Sequence, residues 1–355
     1  MTNAIPVLYV SYDGMTDPLG QSQVLPYLGG LAKLGYSITL LSCEKPERYA
    51  KHKDDIAQIC TDAGIDWQPI HYTASPPVLS TIIDVRQLHR KAETLYKSRR
   101  FTIIHCRSYI SALVGLRLQK VHGCKFVFDM RGFWADERVD GGLWNLDNPL
   151  FGLIYRYFKK KEKTYLRKAD HIISLTVAAE AEIQSWNLVP GKLLPITVIP
   201  CCVDTALFDP AKVSSEQKRL LRETLGVKDD APLVGYVGSI GTWYLLEEML
   251  FYFKSVLNQK PESRMLFLTG EAKELVLKAA ERLGIPSKNI LVRQAKRTEV
   301  PGYISILDYS IFFIKPSYSK KASSPTKQGE IMAMGKPVVC NASVGDTEKV
   351  VTDYK

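Results

Sequence analysis

This chain lacks any run approaching the roughly 18–20 consecutive apolar residues that a membrane-spanning helix requires. It has no Asp-x-Asp, so a carboxylate-held metal is not indicated, and no Cys-x-x-Cys. It also lacks Gly-x-Gly-x-x-Gly and a Walker P-loop, which disfavours a dinucleotide oxidoreductase and a P-loop NTPase. Its seven cysteines (43, 60, 106, 124, 201, 202, 340) lie mostly in apolar stretches without matching histidines. Buried free thiols in a reducing compartment are expected rather than a zinc or redox site. Adjacent cysteines such as Cys201 and Cys202 do not easily form an ordinary disulfide. There is no low-complexity tract or short repeat, and no signal-peptide layout before the apolar run that begins at Ile5. A cytoplasmic location is the expectation.

What is present is a globular composition: 46% hydrophobic and 24% charged residues over 355 positions, enough for two domains. The formal net charge is +10, from 47 basic and 37 acidic residues. Residues 1–203 hold 25 basic and 19 acidic residues, so the excess is not confined to one half. One segment stands apart. Residues 151–170 carry seven basic residues (Arg156, Lys159, Lys160, Lys161, Lys163, Arg167, Lys168) and two acidic ones.

Short apolar runs alternate with helical stretches nearly from end to end. Strands are expected at 5–10, 37–42, 102–106, 125–129, 171–175 and 196–200. In the second half they are expected near 233–238, 265–269, 289–292, 309–314 and 337–340. Helices are expected at 21–34, 151–168 and 210–225, and near 244–259, 271–283, 299–307 and 325–334. Continuous apolar strands followed by amphipathic helices predict parallel sheets covered on both faces. The fold class is therefore α/β, two doubly wound Rossmann-like domains, 1–203 and 204–355. Ligands of such sheets sit beyond the carboxyl ends of the strands.

Those ends carry the candidate chemistry. The first loop, Ser11 to Gln23, places Gly14, Gly20 and Gln21 where backbone could approach a phosphate or a sugar, or where an ordinary turn would suffice. His105-Cys106-Arg107 follows the next predicted parallel run, and His105 reads most simply as a hydrogen-bonded core histidine. Asp129-Met130-Arg131-Gly132-Phe133-Trp134 offers a carboxylate, a guanidinium and rings for a cleft wall, or an ion pair that holds a loop. In the second domain Gly238-Ser239-Ile240-Gly241 ends a strand before a helix, where free N–H groups could receive an anion. Ser324-Pro325-Thr326-Lys327 reads as a helix start, with Ser324 as N-cap and Pro325 at the first helical position. Lys327 follows half a turn on, and Glu330 lies farther along the same helix.

The segment Ser324 to Val339 (SPTKQGEIMAMGKPVV), with YVGS at 236–239, IPCCVD at 199–204 and ADHIISLT at 169–176, resembles family 4 glycosyltransferases of the GT-B fold. The likeness covers nearly the whole chain. It implies two domains facing a cleft, and retaining transfer of a sugar from a nucleotide-diphosphate sugar to a glycan or lipid-linked acceptor. Surface polysaccharide or glycolipid synthesis is the implied setting, with neither metal nor other cofactor. By this resemblance Glu330 binds the donor ribose. Gly238, Ser239, Gly241, Ser324, Thr326 and Lys327 lie on the nucleotide and diphosphate side. Asp129 and Arg131 would be catalytic, and Gly14, Gly20, Gln21 and Arg107 would lie on the sugar and acceptor side.

The sequence also departs from the family pattern. Ala322 stands where members often have a second glutamate, and Ser239 and Tyr244 stand where many have an arginine and a lysine. The histidine that many members place after the fourth strand is expected to be replaced within Asp129-Met130-Arg131. Lys327 and the helix start, helped by Arg131, would replace the missing charge. Two other classes stay open, a non-catalytic nucleotide-sugar-binding relative and a GT-B-like nucleotide-sugar epimerase.

Helix 151–168 places Phe151, Ile154, Phe158 and Tyr165 roughly on one face, with Lys159, Lys160, Lys161 and Lys163 away from it. It reads as a solvated surface helix or as a patch for anionic lipid headgroups. No zinc-finger or RNP-like pattern supports nucleic acid as the partner. Only 25 residues follow Glu330, so the second domain is expected to end short of a full sheet and its return helix.

Overall fold

The computed structural model describes residues 4–76 and 78–354. The chain divides into two compact units, Met1–Pro200 and Cys201–Lys355.

The first unit is a seven-stranded parallel sheet. Its strands are β1 (Ile5–Ser11), β2 (Tyr36–Glu44), β3 (Asp66–His71), β4 (Ile103–Arg107), β5 (Lys125–Asp129), β6 (His171–Ser174) and β7 (Ile196–Val198), in the order β3-β2-β1-β4-β5-β6-β7. Central β1 is buried from Val7 to Ser11, as a strand covered on both faces must be. The sequence reading missed β3. Its run Asp66-Trp67-Gln68-Pro69-Ile70-His71 is half polar and contains a proline, which only an edge strand accommodates.

Helices α1 (Leu25–Lys33), α2 (Pro46–Asp62), α3 (Leu79–Arg99), α4 (Ser108–His122), α5 (Trp134–Asp140), α6 (Pro149–Lys168) and α7 (Val177–Ser185) connect these strands. The helix expected at 21–34 is broken in two: a π-helical turn at Gly20–Val24 precedes α1. Helix α6 begins at Pro149, and the Asn148 side chain caps it by accepting from the Leu150 N–H.

One expectation for α6 fails. Lys159 does not project into solvent with its neighbours. Its Nζ lies 2.8 Å from Asp136 Oδ2 and also pairs with the fully buried Glu162, whose other oxygen accepts from Tyr109. Burying a carboxylate without a partner is costly, so Lys159 is drawn inward to Glu162.

The second unit is a five-stranded parallel sheet ordered β10-β9-β8-β11-β12. Its strands are β8 (Leu233–Val237), β9 (Arg264–Leu268), β10 (Ile290–Arg293), β11 (Tyr309–Phe312) and β12 (Val338–Cys340). Helices α8 (Ser215–Thr224), α9 (Leu246–Gln259), α10 (Lys273–Arg282), α11 (Val300–Ser305), α12 (Thr326–Ala333) and α13 (Thr347–Asp353) cover it. Tyr236, Phe253, Phe267 and Phe312 form the heart of one core cluster. All seven cysteines are free, and Cys43, Cys60, Cys106 and Cys124 are buried. Among the described residues no helix is long and apolar enough to cross a membrane.

Candidate active site

In the first unit, parallel register aligns Ser11 of β1 with Arg107 of β4, and Arg107 with Asp129 of β5, at the last paired position of each strand. Asp129 is buried, and three cationic or basic side chains surround it. Arg107 Nη1 and His105 Nε2 lie 3.8 Å from its Oδ2, and Arg131 Nη1 lies 3.9 Å from its Oδ1. Burial alone would raise the Asp129 carboxyl, but Arg131, His105 and Arg107 hold it below the usual carboxylate range. His105 is thus part of this cluster as well as packed on the Tyr9 ring, beyond the simple core role expected of it. Arg107 is itself buried and reaches out to the half-exposed Asp13, 3.6 Å away. The backbone leaves both strands in the left-handed region, with φ +65° at Ser108 and +58° at Arg131. Such conformations cost about 1–3 kcal/mol each in a non-glycine residue and concentrate at functional positions.

Glu44, at the end of β2, was not singled out from the sequence. Its carboxylate accepts from the Met15 N–H (2.8 Å), the Thr16 N–H (3.1 Å), the Thr16 hydroxyl (2.7 Å) and the Ser42 hydroxyl (2.6 Å). The first loop is moulded on this one acid. A β-carbon on Gly14 would lie 2.7 Å from Glu44 Oε2, and one on Gly20 would lie 2.4 Å from the Gly14 carbonyl oxygen. Both glycines therefore make room for the loop itself, and the Gln21 amide turns inward to the Thr16 carbonyl. The only advance signal for Glu44 was an acid closing an apolar strand.

In the second unit the predicted residues gather beyond β8 and at the start of α12. Lys327 is buried, and its Nζ donates to the Tyr236 hydroxyl at 3.0 Å while lying 3.6 Å from the Tyr244 ring centroid. Burial pushes the Lys327 amine well below the usual lysine range, and Glu330 only partly opposes this. Gly238 has φ +125°, and a β-carbon there would lie 2.8 Å from Lys327 Nζ. Ser239 and Gly241 are exposed at the same strand end. Glu330 is buried, with Oε1 2.9 Å from Arg297 Nη1, and the Arg297 guanidinium rests over the Phe208 ring. Arg297 follows β10, and no motif marks it in the sequence.

Ser324 does not cap α12. The helix starts at Thr326 with Pro325 in the cap position and no side-chain cap. Ser324 Oγ instead accepts from the Cys201 N–H at 3.0 Å. The first turn of α12 thus keeps the donor character that suits an anion. Lys320 lies 3.6 Å above the Trp243 ring, a second buried cation in the loops around this site. Among the described residues no three His, Cys, Asp or Glu side chains form a metal-binding group.

The chain is similar to known proteins over most of its length. A D-inositol 3-phosphate glycosyltransferase from Catenulispora acidiphila is 23% identical over 274 residues, 74% of this chain and 60% of that protein. The chain thus spans less than two thirds of the length of this curated relative. The structure of sucrose-phosphate synthase from Thermosynechococcus elongatus matches with a TM-score of 0.68 at 16% identity, covering 98% of this chain and 83% of that one. Anabaena HepE, solved with UDP and glucose, matches with a TM-score of 0.63 at 14% identity, covering 96% and 82%. These structures share the GT-B fold. The family model Glycosyltransferase Family 4 matches residues 23–207 and Glycosyl transferases group 1 matches residues 217–355, so the chain belongs to the family 4 glycosyltransferases and has their GT-B fold.

Proposed function

We propose that this glycosyltransferase moves a sugar, with retention of configuration and without a metal, from a nucleotide-diphosphate sugar to a glycan or lipid-linked acceptor. The observation that carries the reading is the grouping of Gly238, Lys327, Glu330 and the uncapped start of α12 around the end of β8. Transfer breaks the bond between the anomeric carbon and the phosphate oxygen, and the electron pair leaves on the diphosphate. Fixed dipoles and a cation at that phosphate stabilise the charge as it develops. Lys327 and the first N–H groups of α12 perform that task. Glu330, held by Arg297, accepts from the ribose hydroxyls, and Gly238, Ser239 and Gly241 bring backbone to the phosphates.

In a front-side displacement the acceptor oxygen bonds to the anomeric carbon on the face the phosphate leaves, and its proton passes to the departing phosphate oxygen. From the first unit, Asp129 and Arg131 contribute the catalytic charge cluster. Arg107 and the loop bearing Gly14, Gly20 and Gln21 shape the acceptor side. The absence of Asp-x-Asp supports metal-independent chemistry. The UDP and glucose bound in HepE support a hexosyl donor. The setting is surface polysaccharide or glycolipid synthesis at the cytoplasmic face of the membrane, with the basic helix α6 toward the lipid.

A nucleotide-sugar panel tests this reading. One donor should transfer its sugar in the presence of EDTA, with the anomeric configuration retained by NMR. A hydrogen bond to a charged group contributes about 1.5–3 kcal/mol, so wild type should prefer the intact nucleoside diphosphate over its 2′,3′-dideoxy analogue by roughly 10–100-fold. Glu330→Ala should bind both alike. If that variant still discriminated between them, Glu330 would not be the ribose ligand.

A further inference from the structure

Helices α3, α4 and α6 lie side by side on one face of the seven-stranded sheet. The strand order and right-handed parallel crossovers place them there, and α4 packs against both of the others. Side chains lock the layer together. His122 pairs with Glu93 at 2.8 Å, His89 contacts the Leu113 carbonyl, and Gln119 donates to the Lys168 carbonyl. Because α3 leads into β4 and α6 into β6, both run back along the sheet toward the starts of those strands, and both begin toward the end that carries Asp129 and Arg107.

Each of these two helices carries the same gradient along its outward stripe. Helix α3 exposes Leu79, Ile82 and Ile83 at its start, and helical periodicity sets Arg86, Arg90 and Lys97 behind them on the same stripe. Helix α6 exposes Leu150, Leu153 and Tyr157, followed by Lys160 and Arg167, with Lys161 over the Tyr157 ring. All six leading residues are 42–60% exposed although they are large and apolar. Arg86, Arg90 and Lys97 join Arg117 of α4 along a groove of about 590 Å³. Among the described residues none of these four cations has an ion-pair partner, because the one acid in the groove, Glu93, is engaged by His122. Like charges four residues apart, as at Arg86 and Arg90, disfavour a helix unless an anion offsets them.

We infer that this three-helix layer docks on an anionic lipid bilayer, with the leading ends of both α3 and α6 in the headgroup region and the Arg86–Arg117 groove on lipid phosphates. Apolar teeth with cations behind them suit the bilayer interface, where the teeth leave water while the cations stay on the phosphates. A soluble polyanion would make no use of the six apolar residues. The inference extends the membrane role from α6 to α3 and α4, and it aims the strand ends toward the lipid from which an acceptor would come. It rests on the lipid-linked acceptor reading for its purpose, but its test involves no turnover.

The test is flotation of the full chain with vesicles of phosphatidylcholine alone and with one third phosphatidylglycerol. Wild type should float with the anionic vesicles only, and less so as salt rises. Arg86→Glu/Arg90→Glu should lower the partition coefficient by at least about fivefold per site. Ile82→Gln/Ile83→Gln should lower it by roughly tenfold per residue, and Leu150→Gln/Leu153→Gln should do the same. Circular dichroism and nucleoside-diphosphate binding should be unchanged in all three. Wild type that stays off the anionic vesicles, or floats equally with neutral ones, would overturn the inference. So would α3 variants that float like wild type.

Discussion

The side-chain nitrogen of Lys327 occupies the space that a side chain on Gly238 would need, 2.8 Å from the position of its β-carbon. The absence of a side chain at the end of one strand thus makes room for the cation that a helix start delivers to the same point. Lys327 also lies over the ring of Tyr244, which follows Gly238 by six residues.

Gly238→Ala should disturb both halves of this arrangement. The backbone at φ +125° is strained for alanine, at a cost of about 1–3 kcal/mol, and Lys327 must shift. Calorimetric titration with nucleoside diphosphates should show affinity lower by about tenfold or more, with a lower melting temperature. Unchanged binding would remove Lys327 from the phosphate site.

Lys327→Met should separate stability from binding. The folded pKa of Lys327 lies below its unfolded value, so between those two values the unfolded chain binds more protons and stability rises with pH. The Met variant should therefore melt higher than wild type at pH 7, with the gap closing as pH approaches the ordinary lysine range. The same variant should bind diphosphate more weakly. A bound anion favours the ammonium form, so wild type should take up protons on binding, seen as a heat that depends on the buffer, and the variant should not.

Asp129→Asn removes the anion from a cluster of Arg107, Arg131 and His105. Breaking a buried pair in this way costs about 3–5 kcal/mol. The Asp129 pKa is depressed, so its stabilisation is present above the ordinary carboxylate range and is lost as pH falls through the folded value. The melting difference between Asn and wild type should be largest near neutrality and should shrink under acid. Transfer should fall, while nucleoside-diphosphate binding to the second unit should persist.

Glu44→Ala should release the first loop without touching the donor side. It leaves the Met15 and Thr16 N–H groups without their acceptor, at about 1–3 kcal/mol for a buried donor. Sugar transfer should drop by roughly tenfold or more while donor hydrolysis stays near wild type. Equal loss of both would place Glu44 elsewhere in the mechanism.

The sequence by itself determined the fold class and most of its elements, because a strand buried on both faces must be continuously apolar and its crossover helix amphipathic. Runs such as Val7-Leu8-Tyr9-Val10 and Leu233-Val234 leave little alternative. Strand β3 escaped that logic, since an edge strand tolerates Pro69 and polar neighbours. Glu330 and Lys327 were also legible, from a motif that puts both in one short helix.

The tertiary structure alone decided which partners those residues find. Sequence spacing made Ser324 a cap, but a backbone N–H 123 residues away took its hydroxyl. Spacing also put Lys159 on a solvated face, where two buried acids, Asp136 and Glu162, drew it inward. Arg297 beyond β10 meeting Glu330 of α12, and Glu44 at the end of β2 gathering the first loop, join elements separated in the chain. Local propensity and periodicity act over a few residues, whereas the pairing of buried charges is settled by whichever groups packing brings within reach. The fold could therefore be read from local pattern, and the wiring of its site could not.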